Sequence, residues 1–140
     1  MGSRTIAIAS GKGGAGKTFL AVNLGVALTE FNQEAIVIDA DLNAPKLALH
    51  LGRYDFPVTL SDALRGKVNL LNLVYFHPSG LRFIPSAISM SYITTNPKKL
   101  KNLVQQFKKI LIFDCPPGFG REARSILTVS YTHLTLPTKA

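Results

Sequence analysis

Residues 11–18 read GKGGAGKT and satisfy the spacing G-x-x-x-x-G-K-[ST] in full. That spacing suits phosphate chemistry. Gly11, Gly13, Gly14 and Gly16 let the backbone turn tightly, so that N–H groups, Ala15's included, converge on an anion. A helix starting there adds its own unpaired N–H groups and the positive end of its dipole. Lys17 can bridge the β- and γ-phosphates of a nucleoside triphosphate, and the Thr18 hydroxyl can ligate Mg²⁺. Phosphoryl transfer also needs carboxylates that hold the metal and orient water. Asp39 and Asp41 close the run IVIDAD, and Asp114 closes LIFD. One such acid alone could equally be a helix cap. Three of them in a chain with a phosphate loop favour the catalytic reading.

These groups need a scaffold. The β-branched, alternating run over residues 5–10 predicts a buried strand that stops at the glycines. Residues 16–31 place Leu20, Leu24, Ala27, Leu28 and Phe31 at helical spacing, with Gly25 inside, where close packing on a strand is expected. Residues 34–40 hold four consecutive apolar residues, as in a parallel strand buried on both faces. Thr59 stands three residues before Asp62, a capping-box spacing that opens a short helix, and Gly66 can end it. Residues 81–85 predict another strand. Pro97 starts a helix with Leu100, Leu103, Val104 and Phe107 on one face, and residues 109–114 form a fourth strand. Alternating strands and helices predict an α/β fold with a mostly parallel β-sheet flanked by helices. In such sheets ligands bind beyond the carboxyl ends of the strands, where all three acids fall.

The chain has 140 residues, 46% of them hydrophobic, a single cysteine and a formal net charge of +8. That length suits one domain. One cysteine excludes a disulfide scaffold. No apolar run reaches the ~18 residues of a membrane-spanning helix, and the expected location is cytoplasmic. The positive balance fits an anionic partner or a solvated basic surface. Lys98, Lys99, Lys101, Lys108 and Lys109 could form a patch for DNA or anionic lipid, but the helical stripe accounts for the first three as an exposed face. His50, His77 and His133 have no metal-ligand spacing, and Cys115 reads as a small buried hydrophobe.

Lys12 places a second lysine near the start of the loop, giving K-G-G-x-G-K-T. Here the chain resembles the deviant Walker A ATPases, a group that includes MinD, ParA, Mrp-type carriers and the nitrogenase iron protein. The order TIAIASGKGGAGKT, AIVIDADLNAPKLALHLG, VTLSDALRG, LRFIPS and FDCPPGFGREA is most similar to MinD-like ATPases of the archaeal type. The resemblance implies a P-loop NTPase fold, ATP and Mg²⁺ as ligands, and a nucleotide-dependent homodimer in which Lys12 reaches the partner's nucleotide. It implies catalytic roles for Lys12, Lys17 and Asp41, the last orienting the attacking water. It assigns Thr18, Asp39 and Asp114 to the metal, with Asp114 on the Walker B strand. Gly118 matches the second switch and could present its N–H to the γ-phosphate. Phe19 stands at the end of the nucleotide loop where many members have another Thr, and reads as a packing change. A membrane or regulatory protein partner is implied, with cell-division site placement or partitioning as the role and a peripheral membrane location for the full-length protein.

The departures matter as well. Asn43 and Lys46 stand where Gly and Asn are frequent. Family members run to roughly twice this length, so the expectation is a truncated N-terminal portion over residues 1–128 that binds ATP weakly and hydrolyses it poorly, with one sheet edge uncovered. Residues 129–140 (VSYTHLTLPTKA) carry β-type residues with no covering partner expected and resemble a tail from read-through of sequencing adaptors, with a genuine final strand as the alternative. Two other readings stay open: a nucleotide-dependent iron–sulfur carrier of the Mrp type, and a non-hydrolysing nucleotide-binding regulator.

Overall fold

The computed structural model describes residues 4–11, 16–41, 46–52, 56–66, 68–86, 101–102, 104–118, 121–130 and 132–136. Strand β1 (Arg4–Ser10) leads through the glycine loop into helix α1 (Lys17–Glu30), and β2 (Ala35–Asp39) follows. Two short helices come next, α2 (Leu47–His50) and α3 (Leu60–Leu64), then a 3₁₀ turn (Leu70–Leu73). The chain continues through β3 (Tyr75–Phe76), β4 (Arg82–Ile84), β5 (Ile110–Asp114), α4 (Arg121–Val129) and β6 (Thr132–Leu136).

The strands form one sheet in the order β3-β4-β2-β5-β1-β6, parallel except for β3 against β4. The four expected strands are present, within one or two residues at their ends. Elements too short to show a period, α2, the 3₁₀ turn and β3, escape sequence reading. Helix α4 is likewise not legible in the sequence, because its charged start follows a Pro- and Gly-rich stretch. Of the helix expected from Pro97, Lys101, Asn102 and Val104 are helical, and residues 97–100 and 103 lie outside the described residues. Residues 132–136 do have a covering partner. They run parallel to β1 from Ile6 opposite Thr132 to Ser10 opposite Leu136, so β6 occupies the edge beside β1. The β-type residues here fit a strand, but a ladder of main-chain hydrogen bonds asks little of side chains, so their pattern does not name β1 as its neighbour.

Alternation along the strands gives the sheet two buried faces. One carries Ile36, Ile38, Ile84, Leu111 and Phe113 against Leu60, Ala63, Val104, Phe107 and Ile126. The other carries Ile8, Val37, Phe83 and Ile112 against α1. Thr59 and Asp62 form half of the cap expected of their spacing: Thr59 N–H donates to Asp62 Oδ2 at 2.9 Å, but Asp62 N–H bonds the Thr59 carbonyl at 3.0 Å, and the Thr59 hydroxyl donates to Asp62 Oδ2 at 3.4 Å instead of accepting. Gly66, at φ +76°, follows where the helix ends. Among the described residues no helix is long and apolar enough to cross a membrane.

Gly25 decides how closely α1 approaches the sheet. A Cβ there would lie 2.6 Å from Val37 Cγ2 and 2.7 Å from Leu81 Cδ1. Overpacking of this kind costs about 1–3 kcal/mol, against about 1 kcal/mol gained by replacing a helical glycine with alanine. Gly25→Ala is therefore expected to lower stability by about 1 kcal/mol, and Gly25→Leu by about 3 kcal/mol. Urea unfolding of both variants checks this, and an alanine variant more stable than the parent would show that the helix has room to spare.

Candidate functional site

The site forms where β1, β5 and β2 end side by side. The register sets Asp114 beside Ile8 on one flank and beside Asp39 on the other. Residues opposite one another in a ladder share a face, so the Asp39 and Asp114 carboxyl groups project together toward the α1 side. Helix α1 starts at the same end. Gly16 sits at φ +84°, a left-handed conformation that costs glycine little, and redirects the chain into the helix. The first helical residue, Lys17, is 8% exposed.

Asp114 holds the arrangement together. Lys17 Nζ donates to its Oδ1 at 3.2 Å, and Thr18 Oγ1 donates to its Oδ2 at 2.7 Å. Both charges of the Lys17–Asp114 pair are buried, so each meets the cost of taking the other out of water. Asp39 accepts two main-chain hydrogen bonds, from Asp41 N–H at 3.1 Å and from Leu47 N–H at 3.2 Å. It thereby spans the loop from the end of β2 to the start of α2. Burial pushes the Asp39 carboxyl up to about 8, and the negative charge of Asp114 adds to the rise. Asp41 is buried at the same end of the sheet.

Several expected residues take particular places. Lys12, Gly13, Gly14 and Ala15 lie outside the described residues, and Gly11 is described as an exposed bend. Gly118 sits beside the loop, but its N–H donates to the Ser10 carbonyl at 2.8 Å. That bond ties the segment after β5 to the end of β1, and a phosphate could claim the N–H only by breaking it. Phe19 is not a core-packing replacement: it is 62% exposed, because the first turn of α1 turns this position away from the sheet. His50 is exposed and meets the Phe19 ring edge-on, with centroids 6.1 Å apart. Cys115 is fully buried as expected, with its thiol pushed up to about 12 by burial and then by Asp114. Leu47, whose N–H anchors on Asp39, escaped sequence reading, since a backbone donor leaves no trace in residue type.

The donor set near the loop is all oxygen: the Thr18 hydroxyl with the Asp114 and Asp39 carboxylates. Such a set fits a hard divalent cation of the Mg²⁺ kind, which takes few protein ligands and completes its shell with water and phosphate. Among the described residues no group of three or more His, Cys, Asp or Glu converges into a self-sufficient metal site, so the ion would take few ligands from the protein.

Residues 6–113 match the family model described as the CobQ/CobB/MinD/ParA nucleotide binding domain. An uncharacterized ATP-binding protein of Methanocaldococcus jannaschii is 42% identical over 121 residues, spanning 84% of this chain and 46% of that protein. The septum site-determining protein MinD of Synechocystis sp. is 34% identical over 150 residues, spanning 97% of this chain and 53% of that protein. The structure of MinD from Pyrococcus horikoshii, complexed with Mg-ADP, superposes with a TM-score of 0.84 at 32% identity, covering 96% of this chain and 57% of that one. The chain thus spans about half the length of the curated relatives it matches.

The raised Asp39 carboxyl gives a pH prediction. An acid whose pKa rises on folding from about 4 to about 8 favours the folded state while protonated, and that contribution is lost as pH climbs through this window. Asp114 and Asp41 are the charged groups that act on it. Asp39→Asn, measured by urea unfolding in EDTA, is expected to raise stability at pH 9 and to leave it equal or lower at pH 5. An equal change at both pH values would remove the assignment.

Proposed function

The chain belongs to the CobQ/CobB/MinD/ParA nucleotide-binding domain family, and from that premise we propose that it is the phosphate-binding portion of an ATP-hydrolysing, dimerisation-controlled switch. The observation that carries this reading is the single Asp114 carboxylate held at once by the lysine and the threonine of the phosphate loop. Lys17 is a buried cation whose charge must be answered. Without a nucleotide Asp114 answers it, and a triphosphate brings a stronger anion to the same point.

Thr18, Asp114 and Asp39 are the residues that would hold Mg²⁺, which when bound neutralises phosphate charge and polarises the phosphoryl group. The chain's own contribution is placement. Lys17 binds phosphate oxygens from the start of α1, where first-turn N–H groups and the helix dipole also favour an anion. Asp39 keeps Asp41 and the start of α2 in fixed relation to the end of β2. Asp41 is the residue proposed to orient the attacking water. Lys12 is proposed to reach the phosphates of a second copy, so that ATP joins two chains and hydrolysis releases them. The relatives named as septum site-determining proteins support septum placement or a similar positioning role for the whole protein, and a cytoplasmic, membrane-peripheral location is part of the same proposal.

Binding of MgATP by titration calorimetry tests the reading. Lys17→Ala is expected to weaken binding by at least about 30-fold, as for loss of one partner in a buried charge pair. Because that change also leaves Asp114 without its cation, Thr18→Ala is the companion variant. It keeps the ion pair and should lose the Mg²⁺ dependence of binding. Asp41→Ala should retain binding while phosphate release falls. ATP affinity undiminished in Lys17→Ala would overturn the proposal.

A further inference from the structure

Among the described residues one buried side-chain polar atom has no hydrogen-bond partner, the Oγ of Ser86. Ser86 follows β4 and is 5% exposed, so water does not answer the hydroxyl either. A polar group left bare in this way costs the folded chain stability and calls for a reason. The end of the neighbouring strand supplies one. Strands β2 and β4 run parallel, in register as far as Ile38 opposite Ile84. Continued by two residues, that register sets Ser86 level with Ala40, one residue short of Asp41. The ladder stops because the groups that would extend it are used elsewhere. Ala40 N–H donates to the Asp114 carbonyl at 3.0 Å, and the Pro85 carbonyl accepts from Leu60 N–H at 2.8 Å. Asp41 N–H turns back to Asp39 Oδ1 at 3.1 Å, while Leu47 N–H holds Oδ2 at 3.2 Å. Both Asp39 bonds lie at the long end of the N–H···O range. An Asp39 oxygen that turns toward a divalent cation releases one of these donors, and a buried N–H so released needs another acceptor. Of the two, Asp41 N–H is the one beside Ser86.

We propose that Ser86 is a positioning residue for Asp41: its hydroxyl takes over the Asp41 N–H when Asp39 is drawn to Mg²⁺. The inference rests on the phosphate-site reading above and adds to it the means by which the loaded site holds Asp41. The hydroxyl is bare in the nucleotide-free protein because its partner is engaged by Asp39. Loading then exchanges one acceptor for another and leaves no buried donor unpaired, so the end of β2 keeps its shape while Asp39 changes partners.

Ser86→Ala in the 140-residue chain tests this, with the non-hydrolysable ATP analogue AMP-PNP as the probe. Urea unfolding in EDTA without nucleotide is expected to show the folding equilibrium constant raised about 5- to 100-fold, because the bare oxygen is gone. Titration calorimetry should show AMP-PNP binding weakened about 2- to 10-fold in Mg²⁺, the worth of one hydrogen bond, and unchanged in EDTA. Hydrogen exchange at the Asp41 amide is the readout that a merely structural serine would not move. The parent should protect this amide with and without the magnesium complex of AMP-PNP, and Ser86→Ala only without it. Unchanged affinity in Mg²⁺, or an Asp41 amide equally protected in parent and variant when loaded, would overturn the inference alone. So would an alanine variant less stable in EDTA, since the hydroxyl would then already have a partner. Failure of the parent chain to bind the magnesium complex would overturn the phosphate-site reading and this inference with it.

Discussion

A buried carboxylate flanked by a lysine and a threonine is the constraint on which this molecule is organised. Asp114 lies between two parallel strand ends, with Ile8 in register on one side and Asp39 on the other. An ionised carboxylate in that position is tolerable only with a cation and a hydroxyl aimed at it, and Lys17 and Thr18 provide both from one helical turn. The glycine loop must therefore return the chain from β1 to α1 at one particular height. A residue of slack at Gly16 would carry Lys17 away and leave two buried charges unpaired.

The same arrangement explains why the site is electrostatically uneven. Two carboxyl groups in direct register repel, and burial strengthens the repulsion. Asp114 takes the cation, while Asp39, which accepts from the Asp41 and Leu47 main chain, is held toward its protonated form by burial and by Asp114. Folding alone would favour an uncharged acceptor such as Asn in place of Asp39, because the Asp41 and Leu47 N–H groups still need a partner. Retention of an acid there is a local cost carried at a site suited to a divalent cation, the usual balance between stability and function.

Around this point the fold is conventional physics. One face of the sheet accepts α1 so closely that Gly25 has no room for a side chain, and the other is covered by short elements whose apolar residues come from distant parts of the chain. The exposed Phe19 breaks the pattern of burial beside the phosphate loop, and its position beside His50 depends on α2, a helix of only four residues.

The sequence by itself determined four of the strands, the long helix, the pairing of Thr59 with Asp62 at the start of a short helix, and the phosphate-loop motif, because each follows from local period, turn chemistry or fixed spacing. It also marked Asp39, Asp41 and Asp114 as strand-end acids. Only the tertiary structure decided that β5 inserts between β1 and β2, since strand order depends on contacts nearly a hundred residues apart. That insertion brings Asp114 to Lys17 and Thr18 and sets it against Asp39. It also decided that the Gly118 N–H is taken by Ser10, that Phe19 faces outward, and that 132–136 pair with β1. Residue type records what a side chain can do, but a backbone donor's partner and a strand's neighbour are set by the packing of the whole sheet.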